Sequence, residues 1–155
     1  MTRKRQSGLS TVEFAIVALV LFMLIFGVIE VGRAFFVAGA LDESARRGAR
    51  MAAVCPINDP AIAQAAAFDN TLIPGLDATD VVIEYLDENA AIIADPTNPP
   101  SFRLIRYVRV RVVGFQHQML VPLVAPLSQF TMPEYATVIP RESLGIPRVG
   151  AIVAC

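Results

Sequence analysis

The sequence predicts an α+β chain: a long N-terminal helix, transmembrane in its first half and external in its second, packed against a small antiparallel sheet of about three strands with a short second helix. Three observations predict it. An uninterrupted apolar run occupies 14–29, a stripe of small residues continues the same helical period to residue 52, and two β-branched runs follow in the C-terminal half.

The apolar run comes first. From Phe14 to Ile29 the chain reads FAIVALVLFMLIFGVI, without a charged or strongly polar residue and with Gly27 as its one helix-breaking residue. At about 1.5 Å per residue this run spans about 24 Å, slightly less than a hydrocarbon core, so Leu9 to Val12 and Val31 extend the embedded part. Such a segment is either a membrane span or a secretion signal. Glu13 and Glu30 bracket it, and Arg33 stands one turn beyond Glu30, which suits an interfacial ion pair. Glu13 lies one turn inside the apolar zone if the embedded helix begins at Leu9, where an ionised carboxylate needs a neutralising partner; if the span begins at Phe14, it is interfacial. Arg3, Lys4 and Arg5 precede the run and favour a cytoplasmic N-terminus. Arg33, Arg46, Arg47 and Arg50 on the other flank leave charge alone unable to fix the topology.

The helix continues past the span. Ala38, Leu41, Ala45, Ala49 and Ala52 recur at intervals of three and four and form a narrow small-residue stripe. Asp42, Glu43, Arg46, Arg47 and Arg50 occupy the opposite face, where Asp42 with Arg46 and Glu43 with Arg47 are favourable i,i+4 pairs. Cys55-Pro56 ends the helix. The expected organisation is therefore a basic leader at 1–8, a transmembrane helix at 9–32, its external continuation at 33–55 and an exported α+β domain at 56–155.

In the exported domain Ala61 to Leu72 reads as a short helix ended by Pro74-Gly75. Val81 to Leu86 and Tyr107 to Val113 read as strands; in the second, Val108, Val110 and Val112 share one face and Arg109 and Arg111 the other. The parity places the start of that strand at Tyr107, or else a bulge near Arg106. Asp80, Glu84, Asp87 and Glu88 are opposite in sign to Arg103, Arg106, Arg109 and Arg111, so cross-strand salt bridges are expected if the two strands pair. Asp95-Pro-Thr-Asn-Pro-Pro100 reads as a rigid turn. Phe130 to Pro140 reads as a third strand, with Pro133 confining it to an edge or a bulge.

Composition limits the function. Hydrophobic residues make up 55% of the chain against 17% charged, with net charge −1, so no global field draws in nucleic acid. His117 is the lone histidine and reads as a surface loop residue, which leaves no Ser-His-Asp set or histidine-rich metal site to assemble. No catalytic, metal or cofactor-binding residues are expected. Cys55 and Cys155 allow one intramolecular pairing. In an exported domain a bridge closing a loop of about a hundred residues stabilises by about 4 kcal/mol; the alternative is two unpaired thiols.

Gly8 closing a basic leader, Glu13 at the fifth position after it, Phe14 and the apolar helix beyond resemble a type IV prepilin cleavage site. The longer succession Gly8-LSTVEFA, FGVIEVGRAFF from Phe26 to Phe36 and ALDESARRGARMAA from Ala40 to Ala53 resembles the TadE-like family, pseudopilins or minor pilins of the tight adherence (Tad) pilus system. EYATVIPRESLG, from Glu134 to Gly145, is similar to the closing strand of some members. The resemblance implies cleavage between Gly8 and Leu9, a new ammonium at Leu9, and Glu13 of a neighbouring subunit as its counter-charge. Phe14 stands where the family's motif often has tyrosine and keeps its aromatic character. The resemblance further implies a bacterial inner-membrane location with a periplasmic C-terminal domain and a place in pilus assembly, priming or surface adherence, with incorporation in an extracellular pilus left open. Its expected partners are membrane lipid, a prepilin peptidase, other pilins or pseudopilins and the inner-membrane assembly platform. Two other readings stand beside it: a membrane-anchored scaffolding factor outside the filament, and a secreted protein cleaved after Ala40, where Ala38-Gly39-Ala40 has the small-x-small form of a signal-peptidase site.

Overall fold

The computed structural model describes residues 7–120, 128–147 and 154–155; Arg3, Lys4 and Arg5 of the leader lie outside them. One helix, α1 (Ser7–Val54), runs unbroken into the C-terminal domain. None of its most apolar stretch is buried within the fold, and its second half is the spine of the core. The small-residue stripe explains the difference. Leu41, Ala45, Ala49 and Ala52 are fully buried, and Gly48 lets the helix settle closer still. A Cβ on Gly48 would stand 2.9 Å from Val110 Cγ1 and 3.0 Å from the Ala66 Cβ, nearer than packed carbons tolerate.

What packs on that stripe is an antiparallel sheet in the order β1 (Val81–Leu86), β2 (Tyr107–Val112), β5 (Tyr135–Pro140). The alternation in β2 has the expected consequence. Val108, Val110 and Val112 are buried against α1, and Arg109 and Arg111 face outward. The strand starts at Tyr107, directly opposite Leu86 on β1 and Pro140 on β5, so no bulge is needed at Arg106.

A short helix, α2 (Pro60–Ala66), closes the core from the side, with Ile62 and Ala66 buried. Asp59 caps it, its Oδ1 accepting the Ala61 N–H at 3.0 Å, and Pro60 occupies the first turn, where its missing N–H costs nothing. The helix is shorter than the Ala61–Leu72 expectation. Phe68, Asp69 and Asn70 all take positive φ, and the chain turns there in a left-handed 3-10 turn rather than continuing the helix. The proline-rich segment ends in a one-turn helix, α3 (Pro99–Phe102).

The expected third strand is two strands. Gln129–Thr131 forms β4, which pairs with β3 (Gln116–Gln118) in a separate two-stranded ribbon, and only after Met132-Pro133-Glu134 does the chain enter the main sheet as β5. Pro133 brings no N–H to a ladder, so the crossover between the two sheets falls there. His117 is a second correction: it is buried in β3 at 2% exposure, not on a surface loop, with its ring 5.1 Å from that of its cross-strand partner Phe130. On the outer face of α1, Asp42 pairs with Arg46 at 2.7 Å. No Glu43–Arg47 pair forms among the described residues, because the Arg47 guanidinium lies over the Phe68 ring instead, 5.5 Å from its centroid.

The C-terminal end of α1 has no glycine cap of its own. The segment after β5 supplies one: the N–H groups of Glu142 and Leu144 donate to the Ala53 carbonyl, and Gly145 N–H and Ser143 Oγ donate to that of Val54. The last carbonyls of a helix are otherwise unsatisfied, so residues 142–145 tie the end of the chain to the end of the helix.

Candidate functional site

The expected site is the N-terminal half of α1. Gly8 and Leu9 lie in its first turns, and Glu13 is exposed four residues beyond Leu9, so its Cα is about 6 Å further along the axis. Phe14 beside it is 72% exposed. From Ser10 onward the helix is long and apolar enough to cross a membrane, and none of its most apolar stretch is buried within the fold. This separates it from a core helix of similar composition, whose apolar side chains would be covered by protein. Exposed apolar side chains continue as far as Phe35 and Phe36. A helix surface like this is stable only against lipid or other apolar helices.

Where the bare half meets the packed half, α1 carries a buried carboxylate. Glu30 is only 6% exposed. Its Oε1 accepts from Arg33 Nη1 at 2.8 Å, both carboxylate oxygens lie within reach of the Leu120 N–H at 3.3 and 3.2 Å, and His117 Nε2 stands 3.6 Å away. Arg33 also reaches the Gln118 carbonyl at 3.5 Å. The expected Glu30–Arg33 pair is therefore present, and it also holds the β3–β4 hairpin to the helix. Sequence reasoning missed this second role because Glu30 and Leu120 are 90 residues apart and nothing local marks His117 as buried.

The outer face of the sheet holds a second charge group. Glu84 on β1 accepts from both Arg109 and Arg111 of β2, and Arg111 reaches on to Glu134 at 3.2 Å. Partial burial pushes the Glu84 carboxyl upward, but the hydrogen bonds from Arg109 and Arg111 outweigh it, and its pKa lies below the ordinary carboxylate value. Among the described residues the cross-strand pairing is confined to these. Asp87 instead closes a turn, accepting from the N–H groups of Asn89 and Ala91, while Asp80 accepts from Asp77 N–H and Arg106 donates to the Arg103 carbonyl. Such a network stabilises a sheet face and has no reactive centre.

Cys55, buried at the end of α1, is joined to Cys155, with Cα atoms 5.8 Å apart across a separation of 100 residues. Asp59 Oδ2 accepts the Cys155 N–H at 2.8 Å, so the carboxylate that caps α2 also holds the chain end. Among the described residues no three histidine, cysteine or acidic side chains gather as a metal site would require.

The exposed apolar half, the glutamate near its start and the unbroken passage into a packed small-residue half all fall within one segment of sequence. Residues 8–50 match the family model of TadE-like protein. The TadE-like segment thus begins at Gly8, takes in Glu13 and the whole apolar stretch, and ends within the part of α1 that packs on the sheet. No curated protein and no solved structure matches the chain. The match is confined to α1, which is long and apolar enough to cross a membrane.

Proposed function

We propose that the chain is a minor pilin or pseudopilin-like component of a Tad-type pilus, cut after Gly8 by a prepilin peptidase and held in the bacterial inner membrane by the bare half of α1. The observation that supports this reading is that the TadE-like match at 8–50 takes in the whole stretch of helix that the fold leaves uncovered. The leader 1–8 stays cytoplasmic, the span follows, and the domain from residue 56 onward is periplasmic. Cleavage creates an ammonium at Leu9, and in an apolar setting this charge needs a counter-ion. Glu13 of a neighbouring subunit supplies it and fixes the axial register between helices. The oxidising periplasm permits the Cys55–Cys155 bridge. Its partners are the peptidase, other pilins or pseudopilins packed along α1, and the inner-membrane assembly platform.

The packing of α1 weighs against the secreted alternative. Ala40 and Leu41 lie inside the continuous helix and are buried beside Phe115 and Met132, so cutting after Ala40 requires unwinding a packed segment. To test the proposal, Gly8→Asp is introduced in cells that make a Tad pilus. The expected result is an uncut, membrane-retained precursor and loss of pilus-dependent adherence. Normal trimming with normal adherence would overturn it.

A further inference from the structure

We propose that the outward face of the external half of α1 binds a second copy of this chain, running parallel and displaced by seven residues, so that Arg50 of one copy meets Glu43 of the next. This rests on the reading of α1 as a membrane span in a pilus-type assembly and adds to it a partner, a face and an axial step.

The fold leaves this face open. Gly32, Phe36, Gly39, Glu43 and Arg50 share one side of the helix and are all exposed, turned away from the buried Leu41, Ala45 and Ala49. Its charges are unused within the chain. Glu43 and Arg50 make no ion pair or hydrogen bond among the described residues, unlike Asp42 and Arg46, which pair at 2.7 Å, and Arg47, which lies over Phe68. Nor do the two glycines serve internal packing, since a Cβ added to Gly32 or Gly39 meets nothing within 4 Å. Small residues on the face of a membrane helix let another helix approach closely.

The spacing specifies the step. Gly32 to Gly39 and Glu43 to Arg50 are each seven residues, about 10.5 Å along the axis and about 20° short of two full turns. One parallel displacement therefore sets Gly39 of one copy level with Gly32 of the next and Arg50 level with Glu43. Copies that cross the same membrane in the same sense have the parallel orientation this needs. Other displacements are worse. With none, Glu43 faces Glu43 and Arg50 faces Arg50; at three or four residues Glu43 meets Arg46 or Arg47, but Arg50 then faces Arg47 or Arg46.

A hydrocarbon core about 30 Å thick that begins at Phe14 ends near Arg33, so the Glu43–Arg50 pair forms in water, where it adds little affinity. Its part is to select the register, while the glycines and Phe36 supply the contact. Because the copies meet at different heights, each keeps one of the two charges for a further copy. The contact thus repeats along an axis and does not close as a twofold dimer. Glu13 lies about 100° round the helix from Gly32, so its counter-charge belongs to a different neighbour.

The test uses two full-length copies with different tags, made together in cells that make a Tad pilus, one carrying Phe36→Cys and the other Ile29→Cys. These positions lie seven residues apart on the same face and are 60% and 47% exposed, and both native cysteines are already joined. After treatment with a membrane-permeant thiol oxidant, the cross-link between positions 36 and 29 should exceed that between two Phe36→Cys copies. Glu43→Arg in the Ile29→Cys copy should lower it several-fold, and Arg50→Glu added to the Phe36→Cys copy should restore it. Both charged positions are exposed, so neither change disturbs the core. A dominant cross-link between two positions 36, an unchanged yield in Glu43→Arg, failure of Arg50→Glu to restore it, or no cross-link at either pair overturns the proposal. If the chain in those membranes nevertheless begins at Leu9, the proposed function stands. An uncut chain that keeps the 36-to-29 cross-link overturns the processing and not the register, and a soluble product overturns the membrane span and this proposal together.

Discussion

Gly145→Ala isolates the clasp that joins the end of the chain to the end of α1. Gly145 sits at φ +78, and a Cβ there would lie 2.6 Å from Pro56 Cγ and 2.7 Å from both the Cα and the N of Pro56. Backbone atoms cannot swing aside as a flexible side-chain tip can. Left-handed φ costs an alanine about 1–2 kcal/mol relative to glycine, and forcing a methyl into occupied space adds about 1–3 kcal/mol. Gly75 provides the matched control, with φ +86 and nothing within 4 Å of its added Cβ; Gly75→Ala carries the first cost without the second. Unfolding of the full chain in detergent micelles, followed by the near-ultraviolet signal of buried Tyr85, should lose about 3 kcal/mol in Gly145→Ala. The loss in Gly75→Ala should be about half as large. At several degrees per kcal/mol, the melting temperatures should separate by about 5–10 °C. Equal losses in the two variants would refute the close approach of Gly145 to Pro56, and with it the account of how α1 is capped.

Three further outcomes follow from the same packing. Cys155→Ser opens a loop of 100 residues and should lower stability by about 4 kcal/mol; chemical denaturation of the wild-type chain with a thiol reductant should reproduce that loss. Glu84 has a lowered folded-state pKa, so its contribution is complete above the unfolded-state carboxylate value of about 4.3 and disappears as pH falls through the folded value. The stability gap between wild type and Glu84→Gln should therefore be present at neutral pH and close on acidification, as urea titrations at a series of pH values would show. Ser44 is fully buried on the small-residue stripe and its hydroxyl has no hydrogen-bond partner among the described residues; Ser44→Ala should raise stability by about 1 kcal/mol, measured in the same denaturation assay.

Much of the fold was legible because it is written in local periodicities. The apolar run, the small-residue stripe ending at Ala52 and the valine-arginine alternation of β2 each state which face is buried, and burial follows them. The resemblance is likewise carried by a contiguous stretch of sequence, which is why it and the family match at 8–50 coincide. What escaped depends on contacts between distant parts of the chain. His117 carries no pattern of its own; it is buried because β3 docks on α1 and Phe130 lies across from it. Pro133 signalled an interruption, but sequence could not tell an edge strand from a change of sheet. Nor did the 61–72 segment disclose its early end, since a run of left-handed residues at Phe68, Asp69 and Asn70 is rare outside glycine. The two ties on the C-terminal end of α1, through Gly145 and through Cys155, join residues roughly ninety to a hundred positions apart.

The most direct measurement is the mass of the chain's N-terminus after purification from bacterial membranes. Trimming by a prepilin peptidase predicts a protein that begins at Leu9, keeps the whole of α1 and is extracted only with detergent. A soluble product beginning at Leu41, or a membrane-bound one still carrying Met1 or Thr2, would contradict the account.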